Sequence, residues 1–128
     1  MKKNIFTVAI IGVLLVLGGC RSNPILNIQD APIEIEAKHS NKDIKKAIVL
    51  AGAGLGWKMN AKKKGHIIGT LYLRKHVAVV DIKYTKKNYS IVYNKSENLD
   101  YDGTNIHKNY NGWIMNLNRQ IQAQLSSI

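Results

Sequence analysis

The spacing of apolar residues along the chain predicts a helix, a run of strands and a second helix. Between Ile44 and Leu55, apolar residues recur every three or four positions, as in a helix with one apolar face. Ser40 and Asp43 have the spacing of a capping box, which predicts where this helix begins. Gly52, Gly54 and Gly56 predict its end, because glycine accepts the left-handed geometry that closes helices.

From Trp57 the apolar period falls to two, and β-branched and aromatic residues become frequent, which predicts strands. Short polar turns separate them, so we expect an antiparallel meander. The predicted strands are 57–60, 66–73, 76–84 and 89–94. On the third strand we expect Ala78, Val80, Ile82 and Tyr84 to face the core, and Asp81 and Lys83 to lie on a wetter face.

A helical stripe returns near the end of the chain, after a polar segment, 95–109, that has no regular period. The stripe consists of Tyr110, Trp113, Ile114, Leu117, Ile121 and Leu125. Asn109 or Asn111 is expected to cap this helix. The predicted fold is therefore α+β: a two-layer sandwich of a helix, a four-stranded antiparallel meander and a C-terminal helix. Residues 33–36 alternate and predict a short edge strand.

The N-terminus carries a basic start, Lys2 and Lys3, and an apolar run over 5–17 that is too short for a comfortable membrane span. The run ends in Leu17-Gly18-Gly19-Cys20, which resembles the lipobox of bacterial lipoprotein signal peptides. That resemblance implies cleavage before Cys20 and acylation of this cysteine. Arg21 stands where an Asp tends to retain Gram-negative lipoproteins in the inner membrane, so the resemblance implies an outer-membrane protein that faces the periplasm.

This interpretation divides the chain into a signal peptide at 1–19, a lipidated cysteine with a tether at 20–32, and one small domain at 33–128. Cys20 is the only cysteine among 128 residues, which excludes an intramolecular disulfide and a cysteine-based zinc site. The length also leaves no room for a nucleotide-binding fold with a separate substrate domain.

Basic residues are the strongest compositional signal, with 19 Lys and Arg against 8 Asp and Glu. The candidate binding residues lie at the predicted turns and strand ends: Lys58, Lys62, Lys63, Lys64, Arg74, Lys75, Lys86 and Lys87. A cationic surface attracts anionic partners, which for an envelope protein are anionic polymers, headgroups or another envelope protein. Biased composition and protection of strand edges explain the same lysines equally well. Nucleic acid is not expected, because the aromatic residues do not interleave with the basic ones.

A second candidate is the polar loop that carries Asp102 and His107 beside the aromatic residues Tyr101, Tyr110 and Trp113. It supports the alternative of a small hydrolase or metal-binding protein. No nucleophile elbow, carboxylate pair or zinc spacing accompanies it, so we predict no catalytic residue, metal or cofactor.

Two other motifs have a simpler explanation. The glycines at 52–56 follow a predicted helix, whereas a phosphate loop precedes one. Asn98, Asp100, Asp102 and Gly103 have the spacing of a calcium loop, but Asn109 occupies the position of its bidentate glutamate. A turn-rich loop with local hydrogen bonds accounts better for them.

The domain itself also resembles a group of short Gram-negative lipoproteins. The resemblance runs from Gly56-Trp57-Lys58 to about Ile121 and includes Asn98-Leu99-Asp100-Tyr101-Asp102-Gly103 and Trp113. It implies a small envelope domain and assigns no catalytic residue.

Overall fold

The computed structural model describes residues 22–34 and 39–128. The helices are α1 (Asn41–Gly54) and α2 (Lys108–Ser126). The strands are β1 (Ser22–Pro24), β2 (Ile28–Pro32), β3 (Lys58–Lys63), β4 (His66–Leu73), β5 (His76–Tyr84), β6 (Asn88–Glu97) and β7 (Asn105–His107). Five strands form an antiparallel sheet in the order β2-β6-β5-β4-β3, and β1 pairs with β7. The predicted α+β class is confirmed, with more strands than expected.

The start of α1 lies where the sequence predicts it. The Ser40 hydroxyl accepts a hydrogen bond from the Asp43 N–H, and the Asp43 carboxylate accepts one from the Ser40 N–H, both at 3.2 Å. These bonds satisfy two amides that the first helical turn leaves without partners. They also lower the pKa of the Asp43 carboxyl, the Ser40 backbone bond being the main cause. The same helix buries Ile44, Ala47 and Ile48.

One face of the sheet and the two helices share a single apolar core. The predicted inward residues of β5, from Ala78 to Tyr84 at alternate positions, are all buried. In α2 the buried stripe is Tyr110, Ile114, Leu117, Ile121 and Leu125, while Trp113 is only partly buried. The second face of the sheet carries Asp81 and Lys83 as expected, but it also carries Val79, which is buried.

The N-terminal segment differs most from the prediction. Strand β2, within the supposed tether at 20–32, pairs antiparallel with β6, and Ser22 of β1 pairs with His107 of β7. A tether of a dozen residues is therefore wrong from Ser22 onward. The predicted edge strand at 33–36 is not seen at Ile33 and Glu34. Residues 35–36, the signal peptide at 1–19 and Cys20 lie outside the described residues.

The segment 95–109 is not a plain loop, because β6 extends to Glu97 and β7 occupies its end. His107 caps α2, with its Nδ1 accepting a hydrogen bond from the Asn109 N–H at 3.1 Å. The expectation that Asn109 or Asn111 caps this helix is wrong. Asn111 instead accepts a bond from the Leu26 N–H and donates one to the Pro24 carbonyl, so it holds the N-terminal segment against α2.

Gly52 and Gly56 have different roles. Gly52 lies inside α1, where a Cβ would stand 2.4 Å from the Met59 Sδ, so this glycine allows β3 to pack closely. Gly56 has a φ of 92° and makes the turn into the sheet.

Candidate functional site

The sheet has two ends, and the basic residues divide between them. The β3–β4 turn at 64–65 and the β5–β6 turn at 85–87 lie at one end, because successive strands of the meander reverse direction. The Tyr84 N–H donates to the Gly65 carbonyl at 3.0 Å and joins the two turns. We call this the lysine end. It carries Lys62, Lys63, Lys64, Lys86 and Lys87 of the candidate binding set.

The lysine end includes two residues that the sequence analysis did not select. Lys42 and Lys45, from the first turns of α1, line a groove of about 310 Å³ together with Lys63 and Lys64. We call this the lysine groove. The helix carries the first pair, and the end of β3 with the β3–β4 turn carries the second, so only the tertiary fold could group them.

The charge of the groove is not neutralised by neighbouring acids. Among residues 22–34 and 39–128, the ion pairs within 4.0 Å are His39–Asp43 and His66–Asp81, and neither includes a lysine. Asp43 is the acid nearest in sequence to Lys42 and Lys45, but its carboxylate accepts from the Ser40 N–H and forms no ion pair with a lysine within 4.0 Å. The chain also has no Asp or Glu from residue 44 to residue 80, where it has eight Lys and Arg. The groove is therefore a concentrated cationic surface.

The remaining candidate residues lie at the opposite end of the sheet. Arg74 and Lys75 form the β4–β5 turn, and Lys58 begins β3 beside them, with its Nζ 5.2 Å from the centre of the Tyr72 ring. We call this the entry end, because the first described residue, Ser22, enters the fold there through its pairing with His107. The eight candidate residues thus form two surfaces and not one.

Asp102 in the polar loop has a structural role. Its Oδ1 accepts hydrogen bonds from the Thr104 N–H at 2.9 Å and the Asn105 N–H at 2.7 Å. These two bonds, the Asn105 bond first, lower the pKa of the Asp102 carboxyl. The predicted turn with local side-chain-to-backbone hydrogen bonds is confirmed at Asp102. Among the described residues no hydrogen bond joins Asp102 to His107.

The histidine and the aromatic residues of this loop belong to two packed clusters. The His107 ring lies 5.7 Å from His76, which lies 6.0 Å from Trp113. Tyr93 stacks against Tyr101 at 4.2 Å and meets Tyr110 edge-on at 5.9 Å. Burial raises the pKa of the Tyr110 hydroxyl, which has no hydrogen-bond partner among the described residues. The loop is consequently held by packing and local hydrogen bonds.

A third feature, not predicted from sequence, is a groove of about 660 Å³ on the face of the sheet away from the helices. Lys64, Lys83, Asp30 and Asp81 line it. The Asp81 carboxylate binds His66 Nε2 at 2.7 Å and accepts from the Asn94 amide at 3.0 Å. This groove adjoins the lysine groove, since Lys64 lines both.

Comparisons with known protein families, curated proteins and solved structures found no match to this chain. Within residues 22–34 and 39–128, no cluster of three or more His, Cys, Asp or Glu side chains is placed to hold a metal ion. In the same part of the chain, no helix has the length and apolar character needed to cross a bilayer.

Because His107 caps α2, its replacement should change the stability of the fold, which a purely catalytic residue would not be expected to do. We expect His107→Ala to lower the free energy of unfolding by about 0.5–2 kcal/mol, because α2 loses its N-cap acceptor. His107→Asn keeps an acceptor at this position and should recover most of the loss. Urea denaturation of both variants tests this expectation. Equal stability of His107→Ala and the parent chain would contradict the role of the cap.

Proposed function

We propose that this chain is a lipid-anchored protein of the bacterial outer membrane, facing the periplasm, and that its domain is a non-enzymatic binding module for an anionic envelope polymer. The observation that carries the binding part is the lysine groove. Four lysines from two separate elements surround one concave surface, and no carboxylate lies within ion-pair distance of them among the described residues. The anchor part rests on the resemblance of Leu17-Gly18-Gly19-Cys20 to a lipobox.

A groove of this kind favours a polymer that carries regularly spaced negative charges. Lysine is a flexible point charge, so it suits phosphate or carboxylate groups without demanding one fixed geometry. Lys62 of β3 and the β5–β6 turn residues Lys86 and Lys87 lie at the same end, so the cationic surface extends beyond the groove itself. Binding should therefore weaken as salt rises, because exposed charges are screened over about 10 Å at 0.1 M ionic strength.

The test is retention of the protein on purified peptidoglycan and lipopolysaccharide at low and physiological salt, comparing the parent chain with a Lys62→Glu, Lys63→Glu, Lys64→Glu variant. Each lysine near an anionic surface contributes about 1 kcal/mol. Loss of three should weaken binding about 100-fold or more. The matched control carries the same charge change at the entry end: Arg74→Glu, Lys75→Glu and Lys108→Glu, the last being the exposed residue that follows His107.

The control should keep its retention on peptidoglycan, where no bilayer is present. Equal loss of retention in both variants would mean that binding depends on net charge alone and not on the lysine end. Retention of the lysine-end variant equal to that of the parent would refute the proposed surface. No described contact favours the alternative of a hydrolase or metal protein at Asp102 and His107.

A further inference from the structure

The entry end of the domain differs chemically from the lysine end. Three of its large apolar side chains are exposed: Leu55 by 37%, Tyr72 by 60% and Leu73 by 43%. Leu55 caps the C-terminus of α1, and the other two residues complete β4. Arg74 and Lys75 follow directly in the chain and are also exposed. We call these five residues the entry surface.

Exposed leucine and tyrosine side chains beside cationic residues are typical of protein surfaces that rest on a bilayer. Tyrosine is favoured at the headgroup level because its ring is apolar and its hydroxyl is polar. Arg and Lys near the surface are attracted by anionic headgroups. Tyr72 and Leu73 are consecutive residues of β4, so their side chains point to opposite faces of the sheet, and both faces present an apolar side chain at this end.

The position of the N-terminus supplies an independent argument. Ser22 pairs with His107, and the His107 ring is 5.7 Å from His76, the residue after Lys75. The chain therefore enters the fold beside the entry surface. Cys20 precedes Ser22 by two residues, a span of at most about 7 Å. A lipid on Cys20 would hold this end of the domain against the bilayer.

We infer that the entry surface contacts the bilayer. The strands of the sheet then run away from the membrane surface, so that the lysine end is the part of the domain farthest from the bilayer. This inference rests on the proposed lipid anchor. Strand β5 has nine residues and spans about 30 Å at 3.3 Å per residue. The lysine groove then lies about that distance from the headgroups, where it meets a polymer of the periplasm and not the lipids of its own membrane.

The experiment places one polarity-sensitive dye on each end of the acylated full chain. Leu73→Cys and Lys87→Cys each add one reactive thiol at an exposed position, while acylation blocks Cys20. Both variants are bound to vesicles of phosphatidylethanolamine with a minority of phosphatidylglycerol. The dye at 73 should be blue-shifted and severalfold protected from an aqueous quencher, and the dye at 87 should be quenched as in free solution.

Charge reversal checks that the entry surface, and not the anchor alone, makes the contact. Adding Arg74→Glu and Lys75→Glu should remove most of the protection at 73 in an anchored protein, whereas Lys62→Glu and Lys63→Glu should leave it unchanged. Equal quenching of the two dyes on anchored protein would overturn the orientation alone. A chain that is not acylated and does not bind the vesicles would overturn the anchor and the orientation together.

Discussion

Replacing Leu117 by alanine is expected to lower the free energy of unfolding by about 2–5 kcal/mol. Leu117 is fully buried in the middle of α2, in the core that this helix shares with α1 and the sheet. Truncation removes its apolar contacts and leaves a cavity that the surrounding strands cannot fill, so both effects destabilise the fold. Urea denaturation of the parent and the variant measures the difference directly.

Met115 provides a matched control in the same helix. Its side chain is half exposed, so Met115→Ala should change the free energy of unfolding by no more than about 0.5 kcal/mol. A loss below about 1 kcal/mol for Leu117→Ala would contradict its place in a close-packed core.

The second large effect is expected at Gly65, in the turn of the lysine end. Its φ is 81°, and a Cβ would stand 3.1 Å from the Tyr84 carbonyl oxygen. The Tyr84 N–H is bonded to the Gly65 carbonyl, so the two backbones cannot separate without losing that bond. We expect Gly65→Ala to lower the free energy of unfolding by about 1–3 kcal/mol. It should also weaken polymer binding, because Lys64 lies in this turn and Lys63 directly precedes it.

At Gly112 the same glycine-to-alanine change is expected to stabilise the fold. It lies in α2, and a Cβ there would meet no atom within 4 Å. Gly112→Ala should raise the free energy of unfolding by about 0.5–1 kcal/mol, since alanine loses less backbone entropy in a helix. Thermal denaturation of both variants compares the two positions. A stable Gly65→Ala variant would show that the turn tolerates a side chain.

The features that the sequence predicted well depend on neighbours in the chain. The capping box at Ser40 and Asp43, the bounds of β4 and β5, and the buried face of β5 all follow from local spacing. These patterns are strong because a helix buries every third or fourth residue and a strand every second one. The α2 stripe was predictable for the same reason.

The features that were missed depend on distant partners. Strand β2 has no alternating pattern, and it is a strand because β6, about sixty residues later, offers it an edge. Likewise, Lys42 and Lys45 lie off the apolar stripe of α1, and only the packing of α1 beside β3 places them with Lys63 and Lys64. The cap of α2 was assigned to asparagines by preference, whereas β7 delivers His107 to the helix start.

The pairing of β2 with β6 also has a mechanical consequence. The chain enters beside His107, and β2 then runs toward the lysine end. If the anchor holds one end of the domain and a polymer holds the other, tension acts along the strands. Hydrogen bonds between antiparallel strands lie across that direction. The tension therefore loads the β2–β6 hydrogen bonds together, in shear, and does not break them one after another.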